Sequence, residues 1–461
     1  MEVEAIMPKV SVIMPSLNVA LYIRECMDSV VNQSLKDLEL ICVDGGSTDG
    51  TWEILNEYAR TDSRIRLFHS EKKSYGYQMN LGIREAQGEY IGIVETDDYI
   101  LPEMYEALYD YAAEHNADFV KSDFNMFTTP ARNERLFLNS PLGVEYGRLI
   151  TTEEYAQCSA VDTFIWNGIY KRTFLRKHEI WFQETPGAAF QDSGFRYQVA
   201  LCVKRGFFIK RSFYHYRRDN AGSSTYNSKC VLFNWAESKY ILKIAQERGW
   251  TDHIRMGLLA KNIVQNALGP YMDMLAWCKP ADGTNEALIG FRGMFKDFIG
   301  QGSLGPLSVP EDTWLLIRMF MAEPGFFEHY ANLKANALVE TIQAFLKGIA
   351  EKEQIILFGS GKIGACAYCT IRNSGLQNVV AFCDNNPDKW GTKYMGCPVK
   401  PPDQAVKQFP EAYLVITNGA HQAEIKKQLL SLGIPEGRIA GYNLNRSALL
   451  CTNVALRSLL Q

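Results

Sequence analysis

The chain has no run of about 18 uninterrupted apolar residues, the length a helix needs to cross a bilayer, so no membrane span is predicted. Nor does it carry an excess of basic charge. Lys+Arg 48 against Asp+Glu 52 leaves a formal net charge of -4, which removes any global electrostatic reason to expect nucleic-acid binding. Low-complexity tracts are missing, and a composition 47% hydrophobic and 22% charged belongs to a chain that folds. The opening MEVEAIMPKV lacks the basic flank and long apolar core of a secretory signal. A disulfide framework is not suggested either, because 11 cysteines, an odd number, are scattered along a long chain. The expectation is a reduced, soluble protein of the cytoplasm. At 461 residues it exceeds what one hydrophobic core supports, which predicts two or three domains.

What is present is an alternation of short apolar runs and helical spacings over the first 125 or so residues. KVSVIMPSLN reads as a buried strand from Val10 to Met14, stopped by Pro15. A helix follows with Leu21, Ile23, Met27, Val30 and Val31 at its apolar spacing. LELICVD, RIRLFHS and EYIGIVETDD read as further strands, with helices TDGTWEILNEYARTD and GYQMNLGIREAQG between them. This alternation predicts a parallel α/β sheet with helices on both faces, and in such sheets ligands sit beyond the carboxyl ends of the strands. That rule gathers Pro15 to Asn18, Asp44 to Asp49 and Glu95 to Asp98 at one rim. An aromatic-rich stretch over 150–225 and a mostly helical one over 226–350 come next, the latter broken by GQGSLGPLSVPED. Near Glu353 a second α/β pattern begins with the strand IILFG.

Two rim segments suggest chemistry. In ETDD, Glu95, Asp97 and Asp98 crowd carboxylates at a strand end, and their mutual repulsion asks for a neutralising cation. Oxygen ligands of this kind suit Mg²⁺ or Mn²⁺ bridging to phosphates, although an acidic cap on the helix that follows is the alternative. In VDGGSTDGT, Asp44 can accept hydrogen bonds from a base or ribose. Gly45 and Gly46 let the backbone approach a ligand, and Thr48 or Asp49 can cap the next helix.

Taken together, SVIMPSLN, YIRECMDSVVNQSLKDLELICVDGGSTDGT and GEYIGIVETDDYILPEMYEAL resemble family 2 glycosyltransferases with the nucleotide-diphospho-sugar transferase (GT-A) fold. The resemblance covers roughly 9–125, with a weaker continuation to about 225. It implies that Pro15, Ser16, Asn18, Asp44 and Gly46 hold the nucleotide's base and ribose. It further implies that Glu95, Asp97 and Asp98 hold the ribose and a metal on the diphosphate. Two departures stand out. Gly45 occupies the place of a usual second aspartate, and Met79 in YGYQMN that of a frequent arginine, leaving Lys72 and Lys73 as substitutes for its charge. The catalytic base, a carboxylate that takes the acceptor hydroxyl's proton, is expected at Asp192 in GAAFQDSGF, with Gln191 where an acid is common. Asp192 also fits a helix cap, and Asp162 is a second candidate. In SFYHYRRDNAGSST, His215, Arg217 and Arg218 are expected toward the donor diphosphate, and Trp166 toward the acceptor unless it is a core residue.

The second glycine loop, GSGKIG, places Gly359, Gly361 and Gly364 between a strand and a helix, with Asp384 at the next strand end. This is a dinucleotide-style arrangement in which a pyrophosphate nears the helix start and the acid meets ribose. The segment resembles small Rossmann-like domains attached to sugar-modifying and capsule-building enzymes, some of which bind a nucleotide sugar without redox chemistry. No Tyr-x-x-x-Lys pair is found for a reductase. Cys366 and Cys369 form a CxxC without a second pair, which suits helix packing better than zinc.

The fold expected is α/β: a GT-A domain over 1–225, a helical linker, acceptor or interface region over 226–350, a Rossmann-like nucleotide-binding domain over 351–445, and a tail over 446–461. The function expected is metal-dependent, inverting sugar transfer from a nucleotide-diphosphate donor, with a UDP-sugar favoured by the resemblance. Mn²⁺ or Mg²⁺ would serve it, and a nucleotide or NAD(P) is the candidate ligand of the C-terminal domain. The acceptor would be a glycan or lipid-linked glycan in bacterial surface polysaccharide synthesis. Membrane association would be peripheral, at the inner face of the cell membrane, and the helical segment is a candidate homo-oligomer interface. Rivals are a bifunctional enzyme with an NAD(P)-dependent sugar-modifying domain, an alditol-phosphate transferase with a CDP donor, and a non-catalytic glycan-binding subunit. Asp44, Asp97, Asp98 and Asp192 count against the last.

Overall fold

The computed structural model describes residues 7–127, 135–137, 144–158, 164–218, 220, 227–275, 280–322, 340–373, 376, 378–418 and 421–442. Asp162 and the tail over 446–461 lie outside them, as do the side chains of Cys366 and Cys369. The chain forms two compact units. The first comprises Met1–Thr128, Leu136–Tyr271 and Pro280–Pro324, and the second comprises the remainder.

A strand buried at every position needs cover on both faces, which is a central place in a sheet. β1 (Val10–Ser16) and β2 (Leu38–Asp44) are such strands. Between them α1 (Ile23–Val31) buries Ile23, Cys26, Met27 and Val30, one face of a helix. The alternation continues through α2 (Thr51–Thr61), β3 (Ile65–His69), α3 (Tyr75–Glu85) and β4 (Tyr90–Ile93). Then come β5 (Tyr99–Ile100), α4 (Met104–His115), β6 (Phe119–Phe127), β7 (Arg135–Phe137), β8 (Leu149–Ile150) and α5 (Thr152–Gln157). β9 (Gly168–Lys171), α6 (Arg172–Lys177), α7 (Gln191–Cys202) and β10 (Gly206–Arg217) complete the sheet region. Helices α8 (Cys230–Glu247), α9 (His253–Leu275), α10 (Thr284–Gly300) and α11 (Glu311–Ala322) follow.

The sheet runs β3-β2-β1-β4-β9-β6-β10-β5, with β7 beside β6 and β8 beside β10. The four strands β3-β2-β1-β4 are parallel, as expected, but the sheet as a whole is mixed. β9 is antiparallel to both β4 and β6, filling a one-strand gap between two strands that run the same way. Gly168 allows that insertion, because a Cβ there would lie 2.4 Å from the Val120 carbonyl oxygen.

Two local expectations are corrected. β1 does not stop at Pro15 but carries it in register with Val43. Pairing with β4 ends at Ile13, and the Pro15 carbonyl faces that side, where it accepts from Thr96 Oγ1 at 2.8 Å. The missing N–H therefore falls where the ladder has already ended. Leu21 is 83% exposed, because α1 begins only at Ile23 and Leu21 lies ahead of its buried face.

In α7, every residue except Asp192 is buried. The helix packs against α3, α5 and α8, and Asp192 in its first turn is the one position that reaches the rim. The segment before α7 is docked on the start of α3. Asn80 exchanges hydrogen bonds with the Phe182 backbone, Nδ2 to its carbonyl and Oδ1 from its N–H, both at 2.9 Å. Tyr75 N–H donates to the Gly187 carbonyl at 2.9 Å, and Gly187 N–H to Lys73 at 2.8 Å.

The second unit holds α12 (340–349), β11 (Ile355–Phe358), α13 (Lys362–Asn373), β12 (Val379–Cys383), β13 (Lys393–Tyr394) and β14 (Cys397–Lys400). It ends with α14 (Pro402–Gln408), β15 (Tyr413–Ile416), α15 (Gln422–Ser431) and β16 (Ile439–Gly441). Its sheet order is β13-β14-β12-β11-β15-β16, parallel except for β13. β11 alternates between two cores: Ile355 and Leu357 pack with Ile342, Leu346 and Ile349, while Ile356 and Phe358 pack with Leu414 and Ile416. Among the described residues no helix is long and apolar enough to cross a membrane.

Gly76 sits at the docking of α3, where a Cβ would lie 2.0 Å from the Gln183 carbonyl oxygen, whereas a Cβ at Gly293 in α10 meets nothing within 4 Å. Gly76→Ala is expected to cost about 2–3 kcal/mol in urea unfolding. Gly293→Ala, which only restricts the unfolded chain, should be neutral or stabilising by up to about 1 kcal/mol.

Candidate active site

The first wall is the seam between the ends of β1 and β2. Gly45 N–H donates to the Ser16 carbonyl at 2.8 Å. Asn18, with a left-handed φ of 53°, donates its N–H to Ser47 Oγ at 2.9 Å and accepts from Thr48 N–H through Oδ1 at 2.8 Å. Asp49 receives the Ala20 N–H at 2.9 Å, and the Thr51 N–H at 3.1 Å and hydroxyl at 2.6 Å, which ties the start of α2 to the β1 loop. Asp44 is turned inward on its own loop. Its Oδ2 accepts from the N–H groups of Gly46 and Ser47, both at 2.9 Å, and Oδ1 from the Ser47 hydroxyl at 2.5 Å. Gly46, at φ +89°, takes a backbone conformation that a side chain would strain.

The second wall is the acid cluster after β4. Asp98 is buried, with Oδ2 accepting from the Tyr214 hydroxyl at 2.8 Å and Oδ1 from the Arg217 N–H at 2.7 Å. The Tyr214 hydroxyl in turn accepts from the Glu95 N–H at 3.0 Å. Glu95 Oε1 accepts from the Tyr75 hydroxyl at 2.6 Å, and Asp97 Oδ2 from Asn220 Nδ2 at 2.7 Å. Burial pushes the Glu95 carboxyl up to about 8 against the Tyr75 bond, with Asp97 and Asp192 adding to the rise. Burial, and then Asp97, drive Asp98 well above the carboxylate range. Among the described residues, no three acids, histidines or cysteines already converge as a metal cage.

Asp192 belongs to this cluster despite lying about a hundred residues downstream. Its charge bears on both Glu95 and Tyr75, and burial raises its own pKa against the pull of Arg196. Gln191 explains the missing neighbouring acid. It is buried and ties its loop, with Nε2 donating to Thr185 Oγ1 at 2.9 Å and to the carbonyls of Thr185 and Gly187, while Oε1 accepts from Ala189 N–H.

Several expected residues have other neighbours than ligand. Arg217 is buried, donating from Nε to the Asp97 carbonyl at 2.7 Å and from a terminal nitrogen to Glu25 at 2.6 Å, so it clamps the acid loop. Arg218 donates to the Tyr216 hydroxyl at 3.0 Å. His215 is buried and stacked on Tyr99 with ring centroids 4.4 Å apart. Trp166 is only 5% exposed and stacks on Tyr214 at 4.1 Å, so it backs the tyrosine that holds Asp98. Met79 is wholly buried and brings no charge. Lys72 is exposed and paired with Glu184 at 2.7 Å. Tyr75, Tyr214 and Glu25 were missed by sequence reasoning. The only signal was the alternation in SFYHYRR, which puts Tyr214 and Tyr216 on one strand face.

The second unit has its own cavity of about 600 Å³, lined by Gly359, Gly361, Asp384, Lys389, Thr417 and His421 among others. Gly364 packs its Cα so close that a Cβ would lie 2.0 Å from the Gly359 carbonyl. Asp384 accepts from Ser360 N–H at 2.9 Å, Ser360 Oγ at 2.6 Å and Lys389 at 2.9 Å. Its carboxyl falls to about 2, because bonds from Ser360, Asn386 and Lys389 outweigh the opposing effect of burial.

A mixed sheet with a parallel half, a nucleotide-style rim and a buried acid cluster at its strand ends define a GT-A-like transferase domain. The family described as Glycosyl transferase family 2 matches residues 11–199. The uncharacterized glycosyltransferase EpsJ of Bacillus subtilis (strain 168) is 30% identical over 244 residues, covering 52% of this chain and 69% of EpsJ. The glycosyltransferase GlyG of Streptococcus pneumoniae serotype 4 is 31% identical over 220 residues, 45% of this chain and 70% of GlyG. In fold, the chain resembles the crystal structure of S. aureus TarS 1-349 in complex with UDP-GlcNAc, with a TM-score of 0.50, 19% identity, and 74% and 92% of the two chains covered. The chain belongs to glycosyl transferase family 2 and is a glycosyltransferase. A second family, described as C2185-like, N-terminal, matches residues 351–440, and its description is not that of a Rossmann-like domain.

Tyr214→Phe keeps the ring stack on Trp166 but removes the hydroxyl shared by Asp98 and the Glu95 N–H. It is expected to destabilise the protein by about 1–3 kcal/mol in chemical denaturation and to lower transfer activity.

Proposed function

We propose that the chain transfers a sugar, with inversion, from a nucleotide-diphosphate donor to a glycan or lipid-linked glycan acceptor in bacterial surface polysaccharide synthesis. A UDP-sugar is the favoured donor and the cytoplasm the favoured site, with peripheral contact at the inner face of the membrane. The observation that carries this reading is that Asp97 and Asp192 both act on Glu95 in one half-buried acid cluster at the strand rim. On this reading Asp192 takes the proton of the acceptor hydroxyl as its oxygen bonds to the anomeric carbon, and the bond to the donor's diphosphate breaks. Burial makes Asp192 a stronger base than an exposed aspartate, which suits the role.

Glu95 and Asp97 offer oxygen ligands only, each with one carboxylate oxygen that accepts no hydrogen bond among the described residues. That donor set fits Mg²⁺ or Mn²⁺ held by one or two carboxylates, with the diphosphate completing the shell. A cation so held would offset charge on the leaving diphosphate. Asp98, with both oxygens already hydrogen-bonded, would orient Asp97 rather than lead the coordination. Pro15, Ser16, Asn18, Asp44 and Gly46 would shape the base and ribose side. Arg217 would act on the donor through the Asp97 loop.

The second unit is read as a Rossmann-like module that binds a nucleotide or nucleotide sugar in a binding, regulatory or assembly role. Its cavity at the glycine loop, with Asp384 on the wall held by Ser360 and Lys389, supports this. Titrating the full chain with NAD(P)⁺ and with UDP-sugars tests this, and tight NAD(P)⁺ binding with redox turnover would overturn it.

A panel of nucleotide sugars screened for Mn²⁺-dependent hydrolysis identifies the donor. Asp192→Asn is then expected to cut transfer by roughly 10²-fold or more with donor affinity unchanged. Asp97→Ala should abolish the response to Mn²⁺. If both variants transfer sugar at the original rate, the site is assigned wrongly. The wild-type rate should fall on acidification through a pKa above the ordinary aspartate value, since the base must be ionised to work.

A further inference from the structure

We propose that Glu237 on α8 is a positioning residue for sugar transfer, its carboxyl set against Gly194 in the first turn of α7 so that Asp192 is held at the rim. This deepens the reading of Asp192 as the base and rests on it. Glu237 is only 1% exposed, and Gly194 follows Asp192 closely on α7. A Cβ on Gly194 would stand 2.4 Å from Glu237 Oε2 and 3.2 Å from Tyr240 Cδ1, so only glycine lets the carboxyl come this near. Inside a helix a glycine is otherwise destabilising. The start of α7 also lacks support from its own sequence. Phe190, its N-cap, has a left-handed φ of 64° and makes no side-chain capping bond.

Glu237 is not the only point at which α8 grips the segment that delivers Asp192. One turn further along the same helix, the Tyr240 hydroxyl donates to the Trp181 carbonyl at 3.3 Å. At the end of α8, Arg248 donates to the Glu179 carbonyl at 2.9 Å. Asp192 lies between Trp181 and Gly194 in the chain, and α8 holds both. Glu237 is the destabilising member of this grip. Its Oε2 is buried with no hydrogen-bond partner, which costs free energy that an apolar side chain of the same size would not. Burial drives the carboxyl well above the carboxylate range, the Asp192 charge adds to the rise, and the Gly194 N–H opposes it. Acid, helix start and base thus bear on one another. A residue that breaks the rules of packing beside a base is accounted for by what it does for that base. The helical segment expected to serve as a linker or interface then contributes, through α8, to the transferase site.

The test follows Mn²⁺-dependent hydrolysis by the full chain of whichever of UDP-glucose, UDP-galactose and UDP-N-acetylglucosamine it turns over fastest, water standing in for the acceptor hydroxyl. Wild type is compared with Glu237→Met, Glu237→Gln, Asp192→Asn and the Glu237→Met/Asp192→Asn double variant. Glu237→Met, close in volume, is expected to melt no lower than wild type. It should lower kcat roughly 10- to 100-fold and leave KM for the sugar nucleotide unchanged, because a displaced base loses rate rather than binding. Glu237→Gln, which keeps the shape and an acceptor oxygen, should lose less. The decisive comparison is the double variant: with the Asp192 carboxyl gone, Glu237→Met should cost nothing further. Equal losses in both backgrounds mean that Glu237 merely supports the fold, and they overturn the proposal. A slow Asp192→Asn beside a Glu237→Met that runs at the full rate also overturns it, with Asp192 still the base. Asp192→Asn at the wild-type rate defeats the reading of Asp192 itself, and this proposal with it.

Discussion

Carboxyl groups crowded under cover at one strand rim are the constraint on which the first unit is arranged. Glu95, Asp98 and Asp192 are each driven toward the protonated form by burial, and Asp97 stands among them. An unsupported cluster of this kind would repel itself apart or draw water in. The fold answers with hydrogen bonds whose donors come from distant elements: Tyr75 from α3, and Tyr214 and the Arg217 N–H from β10. Trp166 stacks behind Tyr214, and Glu25 on α1 receives the Arg217 guanidinium. Much of the aromatic interior between β6, β9 and β10 thus supports acids that face the rim.

The same economy explains α7. A helix buried on nearly every side is ordinarily apolar all round, yet this one carries Gln191, Arg196 and Gln198 inside. Gln191 and Gln198 serve neighbouring backbone, as when Gln198 donates to the Trp181 carbonyl at 2.7 Å, and Arg196 donates to the Tyr197 hydroxyl. Gln191 stands where the family often has an acid and has become a brace for the loop that delivers Asp192. The docking of Asn80 and Tyr75 on the preceding segment fixes that loop from the other side. Base and acid cluster are therefore held by one set of contacts and respond to the same disturbances.

How much of this was legible depended on whether the signal was local. The β1, β2 and β4 runs, the turn around Asp44 and the acids after β4 declare themselves by composition within a few residues, because buried parallel strands are continuously apolar and their ends are not. Two local readings still failed: Pro15 lies within a strand because its missing N–H faces no partner, and Leu21 is outside the helix whose spacing it matched. The antiparallel insertion of β9 had no local marker at all, since strand direction is settled by how the chain returns. Trp166 and Arg217 had the right chemistry for ligand, but their burial and stacking depend on strands far away in the sequence.

By itself, the sequence determined which segments end in chemistry: the glycine turn after β2, the acids after β4, the aspartate opening α7 and the glycine loop after β11. Side-chain type and short-range spacing suffice for that, because turns, caps and charge crowding act over a few residues. Only the tertiary structure decided how those groups are used. It engaged Asp384 with Ser360, gave Asp98 to Tyr214 and set the Arg217 guanidinium against Glu25. Such partnerships are set by burial and by contacts between residues far apart in the chain, where desolvation makes each hydrogen bond count and no local pattern records its partner.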